Sequence, residues 1–356
     1  MSNNILDLYT DYLMISTSLV SSTGLSKILD EQISHDKITR FLSSKDFTSK
    51  ELWNKVKPVV RKLESDEGLL ILDDSVEEKA FSRENDIICW HYDHSVNRVV
   101  KGVNQLTLIY HTKGVTIPIC LDFVRKTEIV FDKKKGRDIR VSKITKNEQY
   151  RQMLITADMN KIKFSYILND SWFASSENMK FIDEKLEKKF VMSVKSNRKV
   201  CLSMEDKKTK NYISIENLDL KEATEVYIEG LNFSLKLCKK ILKDKNNKEV
   251  AIYLMTNDLN LDKDKMFEIY QKRWNIETFY KSMKSNCSYS KSPTHTVRTQ
   301  CNHFFCSVYA VFKYEMIRLN TNLNHFALKS KIYLNALKIA MNELQVFKSL
   351  DNFSYA

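Results

Sequence analysis

The chain reads as an α/β protein: a catalytic sheet flanked by helices on both sides, a helical region before it, a mostly β stretch inserted into it and more helices after it. Three observations carry that reading. Leu69–Leu72 and Phe164–Asn169 are short apolar runs that each end in acids, the pattern of buried strands carrying polar groups at their tips. The first 66 residues have helical spacing throughout. From about Lys195 to Met255 apolar and polar residues alternate, as in Tyr212 to Ile215, Glu225 to Leu237 and Val250 to Met255. The expected segments are a helical domain over 1–66, the first part of the sheet over 67–194, a β-rich insertion over 195–256, a helix returning to the sheet within 257–290, and C-terminal helices over 291–356.

Taken in order, Ile5 to Ser18 is amphipathic and predicts the first helix. Gly24 to Leu42 divides into two short helices around Glu31 to Ile33, with Ser34 as N-cap of the second and His35, Asp36, Lys37, Thr39 and Arg40 as its polar residues. That is the outline of a helix-turn-helix, whose second helix, with Arg40, would enter a major groove. An ordinary helical hairpin reads the same way. A further helix spans Ser49 to Leu63 after a Thr48 or Ser49 cap. Strands follow at Leu69 to Asp73, Leu106 to His111, Thr116 to Phe123, Phe164 to Asn169 and Phe190 to Val194, with a helix across Asn147 to Met159 and another from about Ala174 to Lys188. Met266 to Lys284 has no Gly or Pro and predicts one helix, and His295 to Leu319 and Asn324 to Leu344 predict two more.

The 356 residues carry a formal charge of +12, which suits a polyanionic partner. Placement says more than the total. Residues 1–66 are balanced, 67–186 carry +1, 187–258 carry +4 and 259–356 carry +7. A local cluster from Arg125 to Lys146 has nine cations against three acids around Lys133, Lys134, Lys135 and Arg137, and reads as a loop suited to phosphate contact or simply solvated. Seven cysteines without paired spacing and no signal peptide point to free thiols in a reducing cytoplasm. Cys301 and Cys306 flank His303, but Cys301, Phe304, Phe305, Val308 and Phe312 form a helical core stripe, which disfavours zinc. No apolar run approaches the ~20 residues of a membrane span.

Tyr270, Arg273, Glu277 and Lys284 are spaced Y-(2)-R-(3)-E-(6)-K. On one helix these four and Lys281 would share roughly a quarter of the circumference over about 21 Å. A carboxylate set among cations is what a metal-assisted phosphate site needs. Such a site takes several acids from distant parts of the chain. Asp73-Asp74-Ser75 and Asp170-Ser171-Trp172-Phe173 supply them at the ends of the two apolar runs, where open α/β sheets place ligands.

From Leu69 to about Tyr314 the chain thereby resembles the DDE transposases of bacterial insertion sequences, in the cut-and-paste group with that Y, R, E, K signature. The resemblance implies an RNase H-like core and a triad of Asp74, Asp170 and Glu277 holding two Mg²⁺ ions, with Mn²⁺ as substitute. Of the first two acids it favours Asp74, the one directly before the hydroxyl residue. Tyr270, Arg273 and Lys284, with Lys281 beside them, would hold phosphates of the element end, and the β-rich insertion would shape end binding and hold a flipped base. The partners implied are double-stranded DNA, both the terminal inverted repeats and the target, and a second copy of the chain when DNA is bound. The place of action is the cytoplasm, at the nucleoid. Two other classes fit parts of the pattern: a DNA-binding regulator with an inactive RNase H-like fold, and an RNase H-like nuclease without strand transfer.

Overall fold

The computed structural model describes residues 4–134, 136–243, 247, 249–292 and 294–350. In chain order the first helices are α1 (Ile5–Ile15), α2 (Ser22–Ile28), α3 (His35–Ser44) and α4 (Ser49–Leu63). The sheet begins with β1 (Leu69–Glu78), β2 (Cys89–Asp93), β3 (Arg98–Thr112) and β4 (Val115–Phe123). Next come β5 (Glu128–Asp132), β6 (Arg137–Val141), α5 (Lys146–Met159), β7 (Tyr166–Asn169), α6 (Ser176–Lys180) with a π-helical turn over Phe181–Lys185, and β8 (Lys189–Val194). The chain continues through β9 (Lys199–Val200), α7 (Met204–Lys208), β10 (Ile213–Ser214), β11 (Thr224–Val226), β12 (Leu235–Lys243) and β13 (Glu249–Thr256). It closes with α8 (Lys263–Gln271), α9 (Trp274–Asn286), α10 (Val297–Thr321) and α11 (His325–Leu350).

Contacts divide the chain into two compact units, one from Thr48 to Thr278 and one that joins the residues up to Phe47 with those from Phe279 onward. The first unit is built on a nine-stranded mixed sheet of order β11-β12-β13-β8-β7-β1-β3-β2, with β4 also on β3. β1 pairs parallel with β7, and β7 with β8, while every other pair in it is antiparallel. Leu70, Ile71 and Leu72 are wholly buried at the centre, which is why this run forms a strand rather than a surface segment. Gly102 lies opposite both Glu78 of β1 and Cys89 of β2, where a Cβ would fall 2.2 Å from the Glu77 carbonyl oxygen. Only glycine fits that crossing.

Several expectations need correcting. β1 does not end at Asp73: β3 pairs with it down to Glu78, so Asp73 and Asp74 sit inside a strand. The basic cluster is not a loop but a hairpin, β5–β6, in which Ile129 pairs with Arg140 and Phe131 with Asp138. Its tip holds Lys133 and Lys134, the Lys134 N–H bonding Asp132 Oδ1 at 2.9 Å, while Lys135 lies outside the described residues. Within the alternating segment, β11, β12 and β13 extend the central sheet beside β8. The signature stretch is two helices, because the chain turns at Lys272 and Arg273: the Arg273 N–H bonds the Tyr270 carbonyl at 2.9 Å, and the Ile276 N–H bonds the Arg273 carbonyl at 3.0 Å. These are three-residue spacings, which tighten the turn and re-aim the second helix.

The second unit packs α1, α3 and α11 around α10, whose residues Thr299 to Phe312 are all buried. Among them His303 is a core residue. Its ring bonds the Tyr9 hydroxyl at 3.0 Å and the carbonyls of Ser288 and Tyr289 at 3.0 and 3.1 Å. Ser34 caps α3 by accepting from the Lys37 N–H, and Arg40 is exposed on that helix. All seven cysteines are free and buried. Among the described residues no helix is long and apolar enough to cross a membrane.

Candidate active site

The parallel pairing of β1 and β7 puts Ile71 level with Leu168. Two residues further along each chain stand Asp73 and Asp170, so two acids leave the middle of the sheet side by side. Asp73 Oδ2 accepts from Arg273 Nη1 at 3.3 Å, and the same nitrogen donates to Glu277 Oε1 at 3.2 Å. Arg273 therefore ties β1 to the start of α9. Asp74, the next residue of β1, is held by Lys146 Nζ, which donates to Oδ1 at 3.2 Å and Oδ2 at 3.1 Å, and by Asn104 Nδ2 at 2.7 Å. Asp170 Oδ1 accepts from the Trp172 N–H at 2.9 Å, an Asx turn that fixes the acid at the end of β7.

The local sequence explains each placement. Thr145 and Glu148 form a capping box that starts α5 at Lys146 and so fixes that lysine. Lys146 Nζ also lies 3.9 Å from the centre of the Trp172 ring. Asn169, buried behind Asp170, accepts from the Tyr150 hydroxyl of α5 at 2.9 Å. The Arg273 guanidinium lies 5.8 Å from the centre of the Tyr270 ring and 5.7 Å from that of Trp274.

Burial pushes Asp73 well above the usual carboxylate range, with Asp170 and Asp74 adding to the rise and Arg273 opposing it. Burial also raises Asp170, with the Asp74 charge adding and the Trp172 and Phe173 N–H groups and Arg273 pulling back. Burial opposes the Arg273 charge, but Tyr270, Asp73 and Glu277 more than offset it. His91 is pushed down to about 3 by burial and by Lys126 and Lys146, so it is neutral.

The donors are carboxylate oxygens from three segments, and two of the acids rise through burial, with the neighbouring acid charges adding to it. That chemistry fits a hard divalent cation. Among the described residues no three acidic, histidine or cysteine side chains are grouped to hold an ion as they stand. Lys146 is bonded to Asp74, and Arg273 to Asp73 and Glu277.

Tyr270 is buried, its ring centre 5.8 Å from the Arg273 guanidinium. Lys281 is exposed, 5.3 Å from the Phe326 ring, and Lys284 is half-buried, both on the later turns of α9 that pack with the helical unit. Lys133, Lys134 and Arg137 are exposed on the β5–β6 hairpin. Sequence reasoning missed Lys146 and Asn104 as individual site residues. The T-x-x-E box before α5 and the polar Asn104-Gln105 pair inside an apolar run were the available signals. A cavity of about 780 Å³ opens beside Asp170, with Ser171, Trp172, Arg198, Lys199, Lys210 and Tyr212 in its wall.

The transposase DDE domain family matches residues 123–308, and the DDE superfamily endonuclease family matches residues 3–212. The first match contains Asp170 and Glu277, the second Asp73, Asp74 and Asp170, and each spans more than half of the chain. No curated protein matches the chain significantly. With a mixed RNase H-like sheet carrying its acids, the chain belongs to the DDE transposases, enzymes that use divalent metals to cut DNA.

Proposed function

We propose that the protein is a cut-and-paste transposase of the Y, R, E, K group, which cleaves the ends of an insertion sequence and joins the freed 3′-hydroxyls to target DNA. The observation that supports this reading best is the Arg273 nitrogen bonded to both Asp73 and Glu277, residues 200 positions apart or four apart from it along the chain. It brings the signature helix to the strand that carries the first acids.

In this reading Asp74, Asp170 and Glu277 hold two Mg²⁺ ions, or Mn²⁺ in their place, with Asp73 as the neighbouring acid that anchors Arg273. When bound, such ions activate the attacking water or 3′-hydroxyl and stabilise the leaving oxygen. The chain's own part is positional. Arg273, freed from the acids as the ions bind, grips a phosphate next to the cut, with Tyr270 beside it. Lys284 and Lys281 hold phosphates of the element end, and Lys133, Lys134 and Arg137 of the hairpin, Lys135 of the same basic run and Arg40 of α3 are further phosphate contacts. The cationic cavity beside Asp170 suits the strand next to the cut, where Trp172 and Tyr212 offer ring faces to a base. The enzyme acts at the nucleoid, as a homodimer on paired ends.

Purified protein incubated with linear DNA bearing the element's repeats, with and without Mg²⁺, tests the reading. Cutting at the repeat ends followed by joining to a second DNA is the expected result. Cutting without joining would assign a plain nuclease, and binding without cutting a regulator.

A further inference from the structure

Lys146 belongs to no part of the signature, yet it contacts both oxygens of Asp74. Its position is not explained by helix stability, because a cation in the first turn of α5 faces the positive end of the helix dipole. The side chains of Lys146 and Asp74 are only 19% and 16% exposed, so the pair is largely shielded from solvent. Asp74 has a second donor in Asn104, whose own Oδ1 is buried with no hydrogen-bond partner among the described residues. The same ammonium, where it stands on Asp74, also lies 3.9 Å from the centre of the Trp172 ring, two residues after Asp170 and in the wall of the cationic cavity.

We propose that Lys146 is an exchange cation: it neutralises Asp74 in the metal-free chain, and when a divalent ion takes Asp74 the ammonium lets go of the carboxylate, stays against the Trp172 ring and binds a phosphate of the DNA strand beside the cut. The proposal rests on the reading of Asp74 as a metal ligand. A four-carbon stem permits the move without shifting α5, since the capping box holds the backbone while the side chain turns. Arg273 stands in the same relation to Asp73, so the two adjacent acids each carry a resident cation before metal and DNA arrive.

The test measures Mn²⁺ binding to the full chain without DNA by calorimetry, and cleavage of repeat-end DNA, for the wild type, Lys146→Met and Lys146→Arg. Removing the competing ammonium in Lys146→Met should tighten Mn²⁺ binding about tenfold, the effect of roughly one lost ion pair. Cleavage at saturating metal and DNA should fall about 100-fold, as when one phosphate-directed donor is lost, while KM for DNA moves less than about threefold. Lys146→Arg should regain most of the cleavage. Lys146→Gln repeats the measurement with a polar side chain, so the test stands even if the Met variant does not fold. Unchanged or weaker Mn²⁺ binding overturns the proposal, and so does tighter binding with an unchanged cleavage rate. Asp74→Asn separates the two readings: if it binds Mn²⁺ as the wild type does, Asp74 is not a ligand, whatever Lys146 does.

Discussion

The helical unit and the sheet unit treat buried polar groups differently. In the helical unit they close on one another: Asn302 donates to the carbonyls of Leu42 and Lys45 and accepts from the Phe47 N–H, and Glu315 joins Arg318 to His325. In the sheet unit His91 Nε2, Asn104 Oδ1, Gln149 Oε1 and Arg273 Nε are buried with no hydrogen-bond partner among the described residues, against Gln300 Oε1 alone in the helical unit. Two of the four belong to side chains that hold the candidate acids, Asn104 on Asp74 and Arg273 on Asp73 and Glu277. Buried polar networks that are complete serve the fold, whereas incomplete ones beside charges mark where a ligand finishes the set. On the proposed function, the sheet unit carries the chemistry and the helical unit the architecture.

The largest effect that would break it is at Glu277. Glu277→Ala removes a proposed metal donor but no phosphate contact. Cleavage of repeat-end DNA should fall about a thousandfold while end binding stays within roughly threefold. Measured by gel-resolved single-turnover cleavage and by anisotropy, a variant that cuts at the wild-type rate would remove Glu277 from the site.

The strands bearing the acids were legible in the sequence because the acids follow runs of wholly buried aliphatic residues, Leu70 to Leu72 and Ile167 with Leu168. The start of α5 was legible to one residue, since Thr145 and Glu148 encode a local cap. What could not be read comes from long-range contact. No Gly or Pro marks the turn at Lys272 and Arg273. It is accompanied by an Arg273 side chain bonded to Asp73, a partner 200 residues away. The hairpin β5–β6 was hidden because basic composition masks the alternation of Ile129, Phe131, Ile139 and Val141. Lys146 was one of nine cations in its cluster until the fold set it against Asp74.

The next effect tests the other side of the comparison. Asn302 is wholly buried in the helical unit and satisfies three backbone groups. Asn302→Ala should lower stability by about 3 kcal/mol, since it leaves those groups without partners. Urea unfolding measures the loss. Mn²⁺ affinity and the cleavage rate of the folded fraction should not change, and a change in either would give the helical unit a part in the chemistry.

Lys329 tests the same unit through pH. It is buried, donating to the carbonyls of Ser16 and Asn286, and burial, opposed by Cys287 and reinforced by Lys291, lowers its pKa to about 8. An unfolded lysine keeps its proton to about 10.4. Between those values the unfolded chain binds the extra proton, so the folded state gains stability as pH rises. Relative to Lys329→Met, the wild type should gain about 2 kcal/mol from pH 7 to pH 9.5 in urea midpoints. A flat difference would mean the ammonium is solvated.

The smallest effect sharpens the comparison where structure and chemistry meet, at Arg273. One role for it is to hold Asp73 and Glu277 together, which is architecture. The other is to leave them for a DNA phosphate, which is function. Salt dependence separates the two, because each phosphate contact contributes its own released counterion. If Arg273 leaves the acids, Arg273→Ala should weaken end binding about tenfold and lower the slope of log affinity against log salt by about 1. If it only braces the acids, affinity falls without a change of slope, and the incomplete bonding at its buried Nε belongs to the fold after all.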